Sequence, residues 1–87
     1  MTASTTPAVE TLTVRYFAAA AEAAGLDTEA VPAGPAAGVV SELVRRHPDL
    51  AGVLPRCALL ADGVRVEDSD QVRPGATLDV LPPFAGG

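Results

Sequence analysis

The chain has no lysine and no tryptophan, and among its 87 residues it has one cysteine, one histidine and three aromatics. Each shortage excludes something. A lone Cys57 cannot build an internal disulfide framework, a cysteine-based metal site or a plant-type iron–sulfur centre. With so few aromatics, Val, Leu and Ala must fill the interior. Six arginines against 11 acidic residues leave a net charge of −5, which argues against a nucleic-acid binder. That balance suits solubility and attraction to a basic partner. No apolar run reaches the roughly 18 residues that span a bilayer. Residues 1–9 also lack the basic start and apolar core of a signal peptide, so the chain reads as cytoplasmic and not membrane-bound.

The residues that are present make a single small globular domain. An apolar fraction of 48% with 20% charged residues is too hydrophobic for disorder. A chain of this length hides only roughly 60 to 65% of its unfolded surface. The Thr/Ser/Pro-rich residues 1–9 read as a flexible N-terminal tail, residues 10–81 as the folded domain and residues 82–87 as an extended tail.

Periodicity places the elements. From Thr11 to Tyr16 polar and apolar residues alternate, which predicts a half-buried strand with Leu12, Val14 and Tyr16 on its core face. Ala18 to Ala24 are helix formers stopped by Gly25, and Thr28 to Val31 form a brief second strand ended by Pro32. Val39, Val40, Leu43 and Val44 make one helical stripe, predicting the main helix. Arg45, Arg46 and His47 complement its negative end, and Pro48 stops it. No Ser, Thr or Asp stands at its start, where Gly38 is the candidate cap.

Residues 49–56 read as an irregular connection anchored by Leu50, Val53 and Leu54, with room for a single helical turn. Strands follow at Cys57 to Ala61 and Val64 to Glu67, joined by Asp62-Gly63, a type I′ hairpin signal. The acidic stretch Glu67 to Asp70 reads as a solvated loop, or as a docking point for a basic partner face. Pro74-Gly75 suits a type II turn, and Thr77 to Leu81 resumes alternation with Leu78 and Val80 inward. The order predicts an α+β, ubiquitin-like β-grasp fold: a mixed five-stranded sheet packed on one main helix.

The tail Pro82-Pro83-Phe84-Ala85-Gly86-Gly87 carries the chemistry. Two prolines end the strand and stiffen its exit. Six extended residues reach roughly 20 Å, enough to enter another protein's site. Two terminal glycines leave no side chain beside the carboxylate, so the backbone can thread a narrow channel and its carbonyl carbon stays open to attack. Such a carboxylate becomes electrophilic once a partner converts it to an acyl-adenylate. With no lysine present, the activated end has only the α-amine of another copy to acylate, although a coding bias toward arginine explains the same absence. A Gly-Gly end alone means no more than a flexible terminus; its place after a strand and Pro-Pro-Phe-Ala, in a chain of this size, gives it weight.

Four stretches, VRYFAAAAEAAG at 14–25, SELVRRHP at 41–48, LLADG at 59–63 and PGATLDVLPPFAGG at 74–87, resemble the MoaD/ThiS sulfur-carrier family and within it the MoaD type. The N-terminal extension and the missing Thr-like helix start resemble a divergent copy of actinobacterial type. The resemblance implies a non-catalytic carrier, the small subunit of a molybdopterin synthase. Its Gly87 would be adenylylated by an E1-like adenylyltransferase/sulfurtransferase that uses ATP, then converted to a thiocarboxylate. The large synthase subunit would accept the tail, with Pro83, Phe84, Ala85 and Gly86 as its contacts, and precursor pterin would receive the sulfur. No bound cofactor or metal is implied.

Other residues stay on bland readings. Phe84 either anchors the tail in a partner's groove or packs on its own sheet edge. Cys57 reads as a small buried hydrophobe, His47 as a helix-end residue, and Arg45, Arg46, Arg56, Arg65 and Arg73 as solvent-facing. Alternatives are a carrier for thiamin, cysteine or a thiolated secondary metabolite, a ubiquitin-like protein modifier, and an inert β-grasp interaction module.

Overall fold

In a computed structural model, residues 10–83 are described. Strand β1, Thr11–Tyr16, buries Leu12, Val14 and Tyr16 and exposes the residues between them, as its alternation predicts. Helix α1, Ala19–Ala24, is short and ends on Gly25 at φ 78°, whose N–H donates to the Ala21 carbonyl at 2.8 Å. Gly25 supplies a left-handed conformation that a side chain would strain. Strand β2, Thr28–Pro32, returns antiparallel to β1 with Leu12 opposite Val31. The two-residue strand β3, Gly34–Pro35, leads into the main helix.

That helix, α2, spans Ala36–Arg46 and buries Ala36, Val39 and Leu43, while Val40 and Val44 are half-buried on its flank. The apolar stripe is thus centred one step round from the four aliphatics that announce it. Two short 3₁₀ turns, Pro48–Gly52 and Leu54–Arg56, set Leu50 and Leu54 into the core in place of an irregular connection. Strands β4, Ala58–Ala61, and β5, Val64–Arg65, form a hairpin whose turn residues Asp62 and Gly63 have φ 48° and 86°. Both are positive, as a type I′ turn requires. After a second two-residue strand, β6, Gln71–Val72, comes the last one, β7, Thr77–Leu81. It runs parallel to β1 and antiparallel to β4, so the sheet order is β2-β1-β7-β4-β5.

Two features depart from expectation. β3 and β6 form a second, two-stranded sheet, where the sequence reads only as loop. Two-residue strands carry no measurable period. The cap of α2 is not Gly38: the helix starts at Ala36, two residues earlier, and no side chain caps it. Its first N–H groups, from Ala36 and Ala37, donate instead to the carbonyls of Asp70 at 2.8 Å and Asp68 at 3.1 Å. The acidic loop therefore closes the helix end with its backbone, satisfying donors that would otherwise be orphaned. This also explains why β3 and β6 pair, since that ladder holds the loop against the helix start.

Apart from the Tyr16 hydroxyl the core is apolar, and no charged residue is fully buried among the described residues. Among them, too, no helix is long and apolar enough to cross a membrane.

Candidate functional site

The candidate site is the end of β7 together with the Pro-Pro exit that continues it. Leu78 and Val80 are fully buried on the helix side. Neighbouring strands hydrogen-bond β7 along both edges, Ala61 to Ala58 on one side and Thr13 to Tyr16 on the other. The start of the strand is tied as well: the Thr77 N–H donates to Asp62 Oδ1 at 3.0 Å, and the Asp62 N–H donates to the Thr77 carbonyl at 2.9 Å. Near its end, the Phe17 N–H donates to the Val80 carbonyl at 3.3 Å. Pairing stops at Leu81, opposite Ala58, because Pro82 has no N–H to offer β4. Pro82 is half-buried and Pro83 exposed. The prolines thus leave from the central strand of a sheet anchored on both flanks, as a strand-ending Pro-Pro predicts.

Of the candidate residues, Pro83 is described and faces solvent. Phe84, Ala85, Gly86 and Gly87 lie outside the described residues.

The sheet face away from α2 surrounds this exit. Arg15 donates from Nε and Nη2 to the two Asp79 oxygens at 2.6 and 2.8 Å, and its guanidinium sits 5.6 Å from the centroid of the Phe17 ring. Two parallel bonds fix the pair more tightly than a single contact does. Leu60 and Leu81 flank it, half-buried yet turned away from the core cluster that takes Leu59 and Ala61. Phe17, 38% exposed, is one of two large hydrophobics left open among the described residues. An apolar surface with one fixed ion pair next to a departing tail is suited to receive a partner. Sequence reasoning missed it, although the alternation that turns Leu59 inward turns Leu60 outward.

A second cluster was also missed. Glu29 Oε2 accepts from the Tyr16 hydroxyl at 2.5 Å and meets His47 Nε2 at 2.6 Å, while Arg46 Nη1 donates to Oε1 at 3.2 Å and to the Ala30 carbonyl at 2.9 Å. The Tyr16 and His47 rings meet edge to face with centroids 6.1 Å apart. The available signal was strand parity, since Glu29 lies two residues from inward Val31 and therefore also points inward, where it needs donors. Burial pushes the Glu29 carboxyl up, but hydrogen bonds from Tyr16, His47 and Arg46 outweigh that and hold it below its ordinary value. Burial, and then the bond to Glu29, raise the Tyr16 hydroxyl. Glu42, held by Arg45 and Arg46, falls to about 2. His47 is therefore more than a helix-end residue, and Arg46 is not free in solvent. The cluster locks the end of α2 to β1 and β2.

Cys57 is half-buried, its thiol donating to the Val53 carbonyl at 3.3 Å, and burial raises its pKa. A protonated thiol is a poor nucleophile, which speaks against a sulfur relay. No group of His, Cys, Asp and Glu suited to a metal occurs among the described residues.

A mixed five-stranded sheet wrapped on one helix, with its C-terminal strand in the middle, defines a ubiquitin-like β-grasp domain. Residues 14–87 match the ThiS family, and the chain belongs to that family as a sulfur carrier of ThiS/MoaD type. A molybdopterin synthase sulfur carrier subunit of Chlamydomonas reinhardtii is 30% identical over 79 residues, covering 85% of this chain and 95% of the relative. The crystal structure of SAMP1 from Haloferax volcanii, a small archaeal modifier protein, superposes with a TM-score of 0.79 at 25% identity, covering 88% of this chain and 99% of that one. Subunits 1 and 2 of the molybdopterin-converting factor of Helicobacter pylori form a complex that includes a chain of the same fold. Its TM-score is 0.65 at 18% identity, over 88% of this chain and 99% of that one.

Proposed function

We propose that this chain is the small, sulfur-carrying subunit of a molybdopterin synthase and that Gly87 carries the sulfur as a thiocarboxylate. The reading rests chiefly on one observation: the central strand β7 is anchored along both edges and ends in Pro82-Pro83, so a Gly-Gly carboxylate is delivered from a rigid base. Support also comes from the family match, which runs through Gly87, and from the algal sulfur carrier subunit.

The chain supplies the carried group and a partner supplies the catalysis. An E1-like enzyme lets the Gly87 carboxylate attack the α-phosphorus of ATP, forming an acyl–phosphate bond and releasing pyrophosphate. A sulfur nucleophile then attacks the carbonyl carbon, the acyl–oxygen bond breaks and AMP leaves. Glycines at both last positions let this carbon pass through a narrow channel and be approached from either side. Pro83, Phe84, Ala85 and Gly86 contact the large subunit during delivery, and the Phe17, Leu60 and Leu81 surface meets its body. Precursor pterin then receives the sulfur.

Reconstitution tests the reading. Thiolated chain mixed with a cognate large subunit and precursor pterin should yield the dithiolene product, and failure with every cognate large subunit would sink this acceptor. The likeness to SAMP1 favours one second reading, a protein modifier joined through Gly87 to target lysines. Conjugate ladders formed with the activating enzyme and ATP would support it.

A further inference from the structure

The two edges of the five-stranded sheet, β2 and β5, end differently. At the first, the Ala33 N–H donates to the Glu10 carbonyl and the Tyr16 N–H to the Asp27 carbonyl. In this antiparallel register the odd-numbered residues of β2 therefore bond β1, and Ala30 turns its own N–H and C=O outward. Arg46 closes that edge, its Nη1 donating to the Ala30 carbonyl at 2.9 Å. At the other edge the Val66 N–H donates to the Leu59 carbonyl at 2.9 Å. The same alternation makes Ala61 and Val64 a bonded pair and turns the Arg65 N–H and C=O away from β4. Neither group has a hydrogen-bond partner among the described residues, and Val64 and Arg65 are both exposed. The open stretch is short, because the Glu67 N–H turns back to Asp70 Oδ2 at 2.7 Å and the Asp62-Gly63 turn bends away on the other side.

Against the α2 side of this open edge lies a cavity of about 500 Å³, with Val40, Val44, Leu54, Cys57, Leu59 and Val66 in its wall. Leu59 and Val66 turn toward the core, so the cavity is on the opposite side of the sheet from Leu60 and Leu81. Its rim is acidic. Glu67 and Asp68 stand there with Arg65, whose Nε lies 3.6 Å from Glu67 Oε2, which leaves the Asp68 carboxylate without a counter-ion among the described residues. A strand added at this edge would place the residue facing Arg65 on the outer side of the sheet and the residues before and after it over the cavity.

We propose that the β5 edge receives a short extended segment of a partner protein, which exchanges two backbone hydrogen bonds with Arg65 and sets one apolar side chain into the cavity. Lysine or arginine next to that anchor meets Glu67 and Asp68. Edge, cavity and rim each contribute one element: the unpaired backbone groups fix an extended backbone, the apolar wall selects an aliphatic anchor, and the acidic rim selects basic neighbours. Arg46 denies the same mode to β2, so docking is confined to one edge. The surface leaves the end of β7 and the outward face free, and the inference does not depend on what Gly87 carries.

The probe is a blocked pentapeptide, Lys-Thr-Leu-Thr-Lys, whose leucine and lysines share one face of an extended chain; it is titrated into the full-length protein and followed by NMR. In the free protein the Arg65 amide should exchange fast with solvent while the Val66 amide is protected. Peptide at about ten times its Kd should slow Arg65 exchange about tenfold, because only the free fraction exchanges. Nuclear Overhauser contacts should join the peptide leucine to the Val44 and Leu54 methyl groups. Replacing that leucine by alanine should weaken binding at least about tenfold, and replacing both lysines by glutamate should abolish it. Arg65→Pro removes the outward N–H and should weaken binding about fivefold or more, whereas Arg65→Ala keeps the N–H and should retain it. Ala51→Trp, an exposed position on the cavity wall, should block the anchor without touching β5. No shift at about 5 mM peptide would overturn the proposal, as would equal binding by Arg65→Pro and Arg65→Ala. An Arg65 amide already protected in the free protein would overturn it too, and protection lost on dilution would make the occupant a second copy of this chain. None of these measurements needs ATP or an activating enzyme, so failure here is distinct from failure to thiolate.

Discussion

Strand β7 and the segment holding β5 and β6 are close in sequence and built differently. β7 lies between two strands, its inward residues Leu78 and Val80 are fully buried, and the side chain and the backbone N–H of Asp62 fix its first residue from the facing hairpin turn. β5 and β6 have two residues each, lie in different sheets and leave Val64 67% exposed. The first region sets the direction in which Pro82 and Pro83 leave the sheet. The second closes the start of α2 through two backbone carbonyls, a task that few side chains need to specify. Cooperative packing is concentrated where direction matters.

The contrast can be broken from several sides. Deleting Gly87 should abolish thiolation and sulfur delivery while the melting temperature stays unchanged, since every described strand and helix lies within residues 11–81; loss of folding would show that the tail is structural. Leu78→Ala removes a fully buried side chain from the tail's own strand and should cost about 2–5 kcal/mol in urea unfolding. A loss under about 1 kcal/mol would mean that the centre of the sheet is not the rigid base described.

Glu29→Ala should cost about 1–3 kcal/mol, because Tyr16 loses its acceptor and Arg46 and His47 lose theirs. Glu29 and Glu42 titrate below the ordinary value of 4.5 in the folded chain. A depressed carboxyl favours the fold when ionised, so their contribution is fully present above pH 4.5 and is lost as pH falls through the folded values. Urea midpoints measured from about pH 7 down to about pH 2 should drop over that acid range, and less in Glu29→Gln. Val64→Ser, on the permissive side, should change stability by less than about 0.5 kcal/mol.

Legibility in the sequence follows the same division. β1, β7, α2 and the Asp62-Gly63 turn are readable because burial imposes a period and positive φ imposes residue types. The β3–β6 pair is not, because two residues show no period and their pairing depends on a loop that must reach a helix start far away in sequence. The same reason hides the true cap of α2: carbonyls of Asp68 and Asp70 have no residue signature, whereas a capping side chain would. The Glu29 cluster draws on β1, β2 and α2 at once, so only its parity was visible. For the candidate site the position is reversed. Two prolines and two glycines mark the tail as the candidate site in sequence alone, while the apolar outer face at the end of β7, with Leu60, Leu81 and the Arg15–Asp79 pair, requires the assembled sheet.

The most direct test of the carrier reading is the intact mass of the chain after incubation with its E1-like activating enzyme, ATP and a sulfur donor. The mass should rise by the replacement of one oxygen by one sulfur, and fragmentation should place the change on Gly87. An unchanged mass under conditions where the enzyme consumes ATP, or a sulfur added at Cys57 instead, would contradict it.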